Sequence, residues 1–449
     1  MGLYGTSKIN QEGHLTIGEV DVTTLAEQYG TPLYVYDVKD IRNRASEFHH
    51  AFENQQVQYQ IAYASKAFSC IAMIELADEL GLSLDVCSGG ELFTALQAGF
   101  PVEKIHFHGN NKTPDELEMA VKEEIGCIVV DNFTELSWLM GLTETLNTNI
   151  DVLIRITPGV EAHTHDYIST GQEDSKFGFD LNSGQAKRAI KMILTHSHLK
   201  LKGVHSHIGS QIFNAEGFEE AVKAIYLSLA EWKQELDYYP DVLNVGGGFG
   251  IRYGKHDHPL PLHEYIDKMV MAAKEEAGKL NMPVPEIWIE PGRALVGEAG
   301  TTLYRIGSRK DIPGLRTYIS IDGGMTDNIR PALYQAEYEA ILANKADQEK
   351  SEVVSIAGKC CESGDMLIWD LALPPAIQGD LLAVSSTGAY GYSMASNYNR
   401  ILRPAVVFVE DGEHHLVIER EKFEDLIRHE RSYKQLIMQK GLDTQIGQN

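Results

Sequence analysis

Short runs of alternating apolar and polar residues recur through the first two thirds of the chain, and between them apolar positions return at helical spacing. After a first extended piece at 32–37 (PLYVYD), strand patterns fall at 60–65 (QIAYAS), 83–88 (SLDVCS), 104–109 (KIHFHG) and 127–132 (CIVVDN). Four more follow at 152–157 (VLIRIT), 203–208 (GVHSHI), 242–247 (VLNVGG) and 287–292 (IWIEPG). The intervening segments, such as 69–80 (SCIAMIELADEL) and 91–100 (ELFTALQAGF), read as helices. Eight strands alternating with helices predict a closed parallel (β/α)8 barrel of the TIM type; a doubly wound open sheet is the competing α/β architecture.

Beyond about residue 298 the texture changes. Strand patterns at 317–322, 352–358, 380–385, 404–411 and 414–420 follow one another with little helix between them, which predicts a mostly β second domain. The segment 13–20 (GHLTIGEV) has the same character, so the N-terminus is expected to join that domain before the barrel begins. The expected division is a barrel over 38–298 and a β-rich domain built from 1–37 and 299–449.

A chain of 449 residues is long enough for two such domains. Its 39 Lys and Arg against 64 Asp and Glu give a formal net charge of −25, which disfavours nucleic acid and anionic membrane surfaces as partners. No apolar run approaches spanning length and the N-terminus does not read as a signal peptide, so the expected location is the cytoplasm. The five cysteines (70, 87, 127, 360 and 361) show neither CxxC spacing nor a paired framework. Most are expected to be reduced core thiols.

The predicted strand ends read Lys66, Ser88, Gly109, Asn132, Pro158, His207, Gly248 and Glu290, an enrichment in reactive or small residues at the face where a barrel places its chemistry. Lys66 is a candidate for covalent work on a carbonyl. His205 and His207 are two apart on a strand and share a side. They could be a metal pair, an aromatic platform for a flat cofactor, or core histidines. The segment HTHD at 163–166 adds two more histidines without a third anchored ligand, and no metal is expected. Gly246, Gly247, Gly248 and Gly250 fall after the seventh strand, where barrels commonly hold phosphate. In IEPGR (289–293), Glu290 could keep a pyridinium nitrogen protonated, Pro291 and Gly292 turn the chain, and Arg293 offers a planar fork to phosphate or carboxylate. An amine for the imine, a ring for stacking, glycines for phosphate and a carboxylate for the ring nitrogen are what pyridoxal phosphate requires, and all four fall on predicted strand ends. The second domain adds Arg330 and Tyr334, Tyr390, and the side-by-side Cys361 and Glu362 in CCESGD.

Taken together, YASKA, HIGSQ, GGGFG, EPGR, CESGD and GAYGYSM resemble, over essentially the full length, the diaminopimelate decarboxylases of the alanine-racemase-like barrel group. The resemblance implies pyridoxal 5'-phosphate as cofactor, with Lys66 as its Schiff-base lysine and His207 stacked on the ring. It puts Ser210 and Gly248 at the phosphate, and Glu290 on the ring nitrogen with Pro291, Gly292 and Arg293 beside it. Arg293, Arg330, Tyr334 and Glu362 would hold the substrate, Tyr390 would touch cofactor and substrate, and Cys361 would be the proton donor. It also implies a homodimer whose partner subunit lends Cys361 and Glu362. The implied reaction is decarboxylation of meso-2,6-diaminopimelate at its D-centre to L-lysine, the last step of lysine biosynthesis. Alternatives are a decarboxylase of a related or carrier-bound precursor and a racemase on the same barrel. Ser206 stands where the family often has Cys; facing away from the mouth, it is expected to change nothing.

Overall fold

The computed structural model describes residues 3–159 and 175–437, so the HTHD segment lies outside the described residues. Eight parallel strands follow in order: Tyr59–Ala64, Ser83–Val86, Ile105–Phe107, Cys127–Val130, Ile150–Thr157, Leu199–His205, Val242–Asn244 and Glu286–Ile289. Each pairs with the next, and the eighth pairs back onto the first with Trp288 opposite Gln60, so the sheet closes. The barrel predicted by the periodicity is the fold; the open sheet is not.

Alternation along the strands divides the barrel interior into two layers. Near the base, Cys127, Val129, Leu153, Val242 and Trp288 form a small apolar cluster, and His106 stacks on Trp288 with ring centroids 4.4 Å apart. Two residues further along the same register stand Asp85, Arg155, His205, Asn244 and Glu290, all buried. An apolar floor thus carries an ionic mouth. Where the sixth strand meets the seventh, a Cβ on Gly203 would come 1.9 Å from the Val242 carbonyl oxygen. Gly203→Ala is expected to cost about 1–3 kcal/mol through this forced overlap, read as a lower urea midpoint; an unchanged midpoint would mean that the neighbouring backbone yields.

The second domain is mostly sheet. Its spine is the long strand Gly300–Ile312, which pairs with Leu33–Asp37, Arg316–Ile321 and Leu381–Val384. Leu33–Asp37 is buried along its whole length between the spine and Ala405–Glu410. Asp37 ends it and starts the next helix, accepting the Asp40 N–H at 3.1 Å as cap of Val38–Gln55.

Three local details go beyond the sequence pattern. Residues 13–20 pack on the second domain without extending its large sheet. They make a three-stranded sheet of their own (Lys8–Ile9, Leu15–Ile17, Val20–Asp21) that packs Leu15, Ile17 and Val20 against it. Among the strands that escape the sequence pattern, the far half of Gly300–Ile312 runs out as exposed Ser-Arg-Lys-Asp, and Met366–Leu373 is interrupted by exposed Trp369 and by Asp370 at φ 50°. Finally, Ser88 and Asn132 are helix caps; their side chains accept the N–H groups of Glu91 (3.2 Å) and Glu135 (2.9 Å). Among the described residues no helix is long and apolar enough to cross a membrane.

Candidate active site at the barrel mouth

A cavity of about 870 Å³ opens over the C-terminal ends of the strands. It is lined by Lys66, His207, Ser210, Gly248, Glu290, Gly292, Arg293, Arg330, Tyr334 and Tyr390, all expected from the sequence.

The first strand stops at Ala64, and a single 3-10 turn, Ser65–Ala67, presents Lys66 to the cavity. The turn is held from both sides: the Ala64 N–H donates to the Pro291 carbonyl at 3.2 Å, and the Ala67 carbonyl accepts the Tyr390 N–H at 2.8 Å. Pro291 braces the Lys66 turn through its backbone carbonyl and is not among the side chains lining the cavity. Enclosure by the protein pulls the Lys66 pKa down, but Cys87, Asp85, Tyr390 and Glu290 push harder in the other direction, and the net shift is upward. The free amine is thus held as a cation in the cofactor-free chain.

Glu290 lies just past the eighth strand and is the hub of the polar layer. Its Oε1 accepts from Asn244 Nδ2 at 2.6 Å and lies 3.0 Å from His108 Nε2, while Oε2 is 3.2 Å from His205 Nε2. Burial alone would push this carboxyl up; His108 and His205 override it and hold Glu290 well below the usual carboxylate range. His205 itself is pushed down to about 4, chiefly by burial. His108, His205 and Glu290 bring their ligand atoms within 4.8 Å of one another, and among the described residues His207 belongs to no such cluster of three. His207 instead accepts the Gly247 N–H on Nδ1 at 3.2 Å. Burial holds it neutral, with a pKa well below the ordinary value.

The glycine loop is required by space. A Cβ on Gly247 would meet the Glu290 carbonyl oxygen at 2.1 Å, and Gly248, at φ +104°, would meet that of Gly209 at 2.1 Å. Beside the loop, Arg293 does not pair with its neighbour Glu290. It donates to Ser210 Oγ at 3.0 Å and to the Tyr253 hydroxyl, and its guanidinium lies 4.7 Å from the Tyr390 ring centroid. Its Nε is buried without a partner. A cation with spare donor capacity, a hydroxyl and close-packed glycine backbone fit a phosphate. The ionised Glu290 fits a protonated ring nitrogen and Lys66 an aldehyde, so the cavity fits pyridoxal phosphate.

At the outer rim, Arg330 is buried, donates to the Tyr338 hydroxyl at 2.5 Å and stacks over Tyr253 at 4.5 Å. Cys361 and Glu362 are not brought to this cavity. Both are exposed on a turn pinned by Asp365, whose carboxylate accepts the N–H groups of Met325 (2.7 Å) and Cys360 (2.8 Å). Asp85, Cys87, His108, Arg155 and Tyr253 line the cavity without having been singled out in the sequence.

A model described as the pyridoxal binding domain of the pyridoxal-dependent decarboxylases matches residues 38–297, which sets the class. Diaminopimelate decarboxylase of Bacillus subtilis is 62% identical over 434 residues, covering 97% of this chain and 99% of its own length. The crystal structure of the M. jannaschii diaminopimelate decarboxylase in complex with L-lysine superposes with a TM-score of 0.90 at 36% identity, over 96% of this chain and 99% of that one. The Helicobacter pylori enzyme, also complexed with L-lysine, gives 0.83 at 31% identity over 91% and 98%. The chain belongs to the diaminopimelate decarboxylase family.

Proposed function

We infer that the chain is a carboxy-lyase that removes CO2 from the D-centre of meso-2,6-diaminopimelate and yields L-lysine, the closing step of lysine biosynthesis. The observation that carries this reading is one cavity in which Lys66, the ionised Glu290 and the buried Arg330 face a common space. Pyridoxal 5'-phosphate supplies, when bound, an electron sink for the bond to the departing carboxylate.

The chain's own residues do the rest. Lys66 would hold the cofactor. His207, kept neutral, would stack on its ring. Ser210, Arg293 and the Gly247–Gly248 backbone would take the phosphate, with Gly292 beside them. Glu290 would keep a proton on the ring nitrogen, and Tyr390 would touch both cofactor and substrate. The distal amino-carboxylate is a zwitterion; Arg330 with Tyr334 would take its carboxylate and Glu362 of the partner subunit its ammonium, so lysine or ornithine would leave a buried charge unpaired.

Cys361 and Glu362 sit exposed on their own chain, on a rigid turn away from the cavity. This supports a homodimer in which Cys361 of the partner subunit gives its Sγ proton to the carbon that lost CO2. We set the domain boundaries after residues 37 and 298, with 1–37 and 299–449 as the domain that lends substrate and dimer contacts. The excess of acid over base suits a small-molecule enzyme rather than a nucleic-acid partner. The free thiols suit the cytoplasm, the compartment we assign.

Release of CO2 from meso-diaminopimelate, dependent on added pyridoxal phosphate, tests the reading; a chain that takes up the cofactor but leaves this substrate intact would sink it. Arg330→Ala is expected to raise the half-saturating diaminopimelate concentration by on the order of 10²-fold, the cost of stranding a buried carboxylate, while cofactor absorbance stays as in the wild type. Equal loss of both would remove Arg330 from substrate binding.

A further inference from the structure

Lys112 is only 2% exposed, although it sits in a polar connection, NNKTPDE, between the third barrel strand and its helix. Its ammonium points inward and donates to the carbonyl oxygens of Gly109 (2.9 Å) and Val129 (2.7 Å) and to Glu135 Oε1 (2.9 Å). Glu135 is 1% exposed, in the first turn of the helix Phe133–Leu146. A pair this deep adds little net stability over packed apolar residues, because both charges lose their water. What it offers is a fixed position.

The position it fixes is one peptide from the active site. Gly109, at φ +121°, lies between His108 and Asn110, and all three line the cavity. The Asn110 carbonyl is tied in turn by Asn132 Nδ2 at 3.0 Å, and the His108 N–H by the Val86 carbonyl at 2.7 Å. His108 Nε2 then falls 3.0 Å from Glu290 Oε1 and 3.8 Å from Asp85 Oδ1. The His108 imidazole and the Gly109 carbonyl thus belong to one short stretch of backbone, held at the Val86 carbonyl on one side and at Lys112 and Asn132 on the other.

We propose that Lys112, paired with Glu135, is a positioning residue for the cofactor end of the site: it holds the Gly109 carbonyl, hence His108 on Glu290, hence the carboxylate that meets the ring nitrogen. The proposal rests on the assignment of Glu290 to that nitrogen.

A mere staple between loops would not act through one imidazole, and a double-mutant cycle separates the two. Lys112→Met, His108→Phe and the double variant are compared with the wild type by absorbance titration of the cofactor-free chains with pyridoxal phosphate, and by kcat for CO2 release. Each single change is expected to weaken cofactor binding about tenfold, and the double variant to stay within about twofold of His108→Phe. Losses that multiply to about a hundredfold overturn the proposal, as does a folded Lys112→Met chain that binds cofactor as tightly as the wild type. If Lys112→Met shows no cooperative melt, Glu135→Gln takes its place in the same cycle; failure of both to fold also overturns the proposal, since the pair is then structural. The titration contains no substrate, so a wild-type chain that loads cofactor yet releases no CO2 counts against the diaminopimelate reading alone.

Discussion

Lys66→Ala is expected to lower CO2 release from meso-diaminopimelate by on the order of 10⁴-fold or more, the scale seen when a covalent catalyst is deleted. The side chain projects into the cavity and is exposed there, so its removal opens no void in the packed core. The variant should melt within a few degrees of the wild type and still take up pyridoxal phosphate through the groups around Ser210, Arg293 and Glu290, though more weakly and without the covalent absorbance band. The electrostatics sharpen this. Burial lowers the pKa of the free amine, but Cys87, Asp85, Tyr390 and Glu290 together raise it further, so an unattached Lys66 is a cation and a poor nucleophile. Activity within tenfold of the wild type would contradict the assignment.

The sequence made Lys66 and Glu290 visible and left Asp85, His108 and Arg155 unremarked, although one rule places them all. Side chains on a barrel strand alternate between core and helix layer. Stepping by two from Trp288 reaches Glu290, from His106 reaches His108, from Leu153 reaches Arg155. Each strand's buried floor residue thus predicts the mouth residue above it. The ends of the predicted strands also included Ser88 and Asn132, which cap helices. The eight strands themselves were legible because each is short, apolar and followed by a helix. The spine Gly300–Ile312 was not, since it serves three pairings and changes from buried to exposed partway along. Position in space is what periodicity cannot supply. Tyr253 joins Arg293 and Arg330 from a loop with no pattern of its own, and nothing in CCESGD says that its thiol turns away from the chain's own cavity.

Chains carrying Lys66→Ala and chains carrying Cys361→Ala are each expected to be nearly inactive, yet to regain about a quarter of wild-type activity when their subunits are exchanged. Cys361 is exposed, its N–H donates to Asn399 Oδ1 at 2.8 Å, and the Asp365 carboxylate pins the turn, so the thiol has a fixed place outside its own cavity. In a head-to-tail dimer each site would take Lys66 from one chain and Cys361 from the other. Random exchange makes half of the dimers mixed, and each mixed dimer has one site with both lesions and one with neither. That single intact site accounts for the quarter. Were both residues to serve the same chain's site, every site in the mixture would keep one lesion, and activity would stay at the level of the separate variants however long the subunits were exchanged.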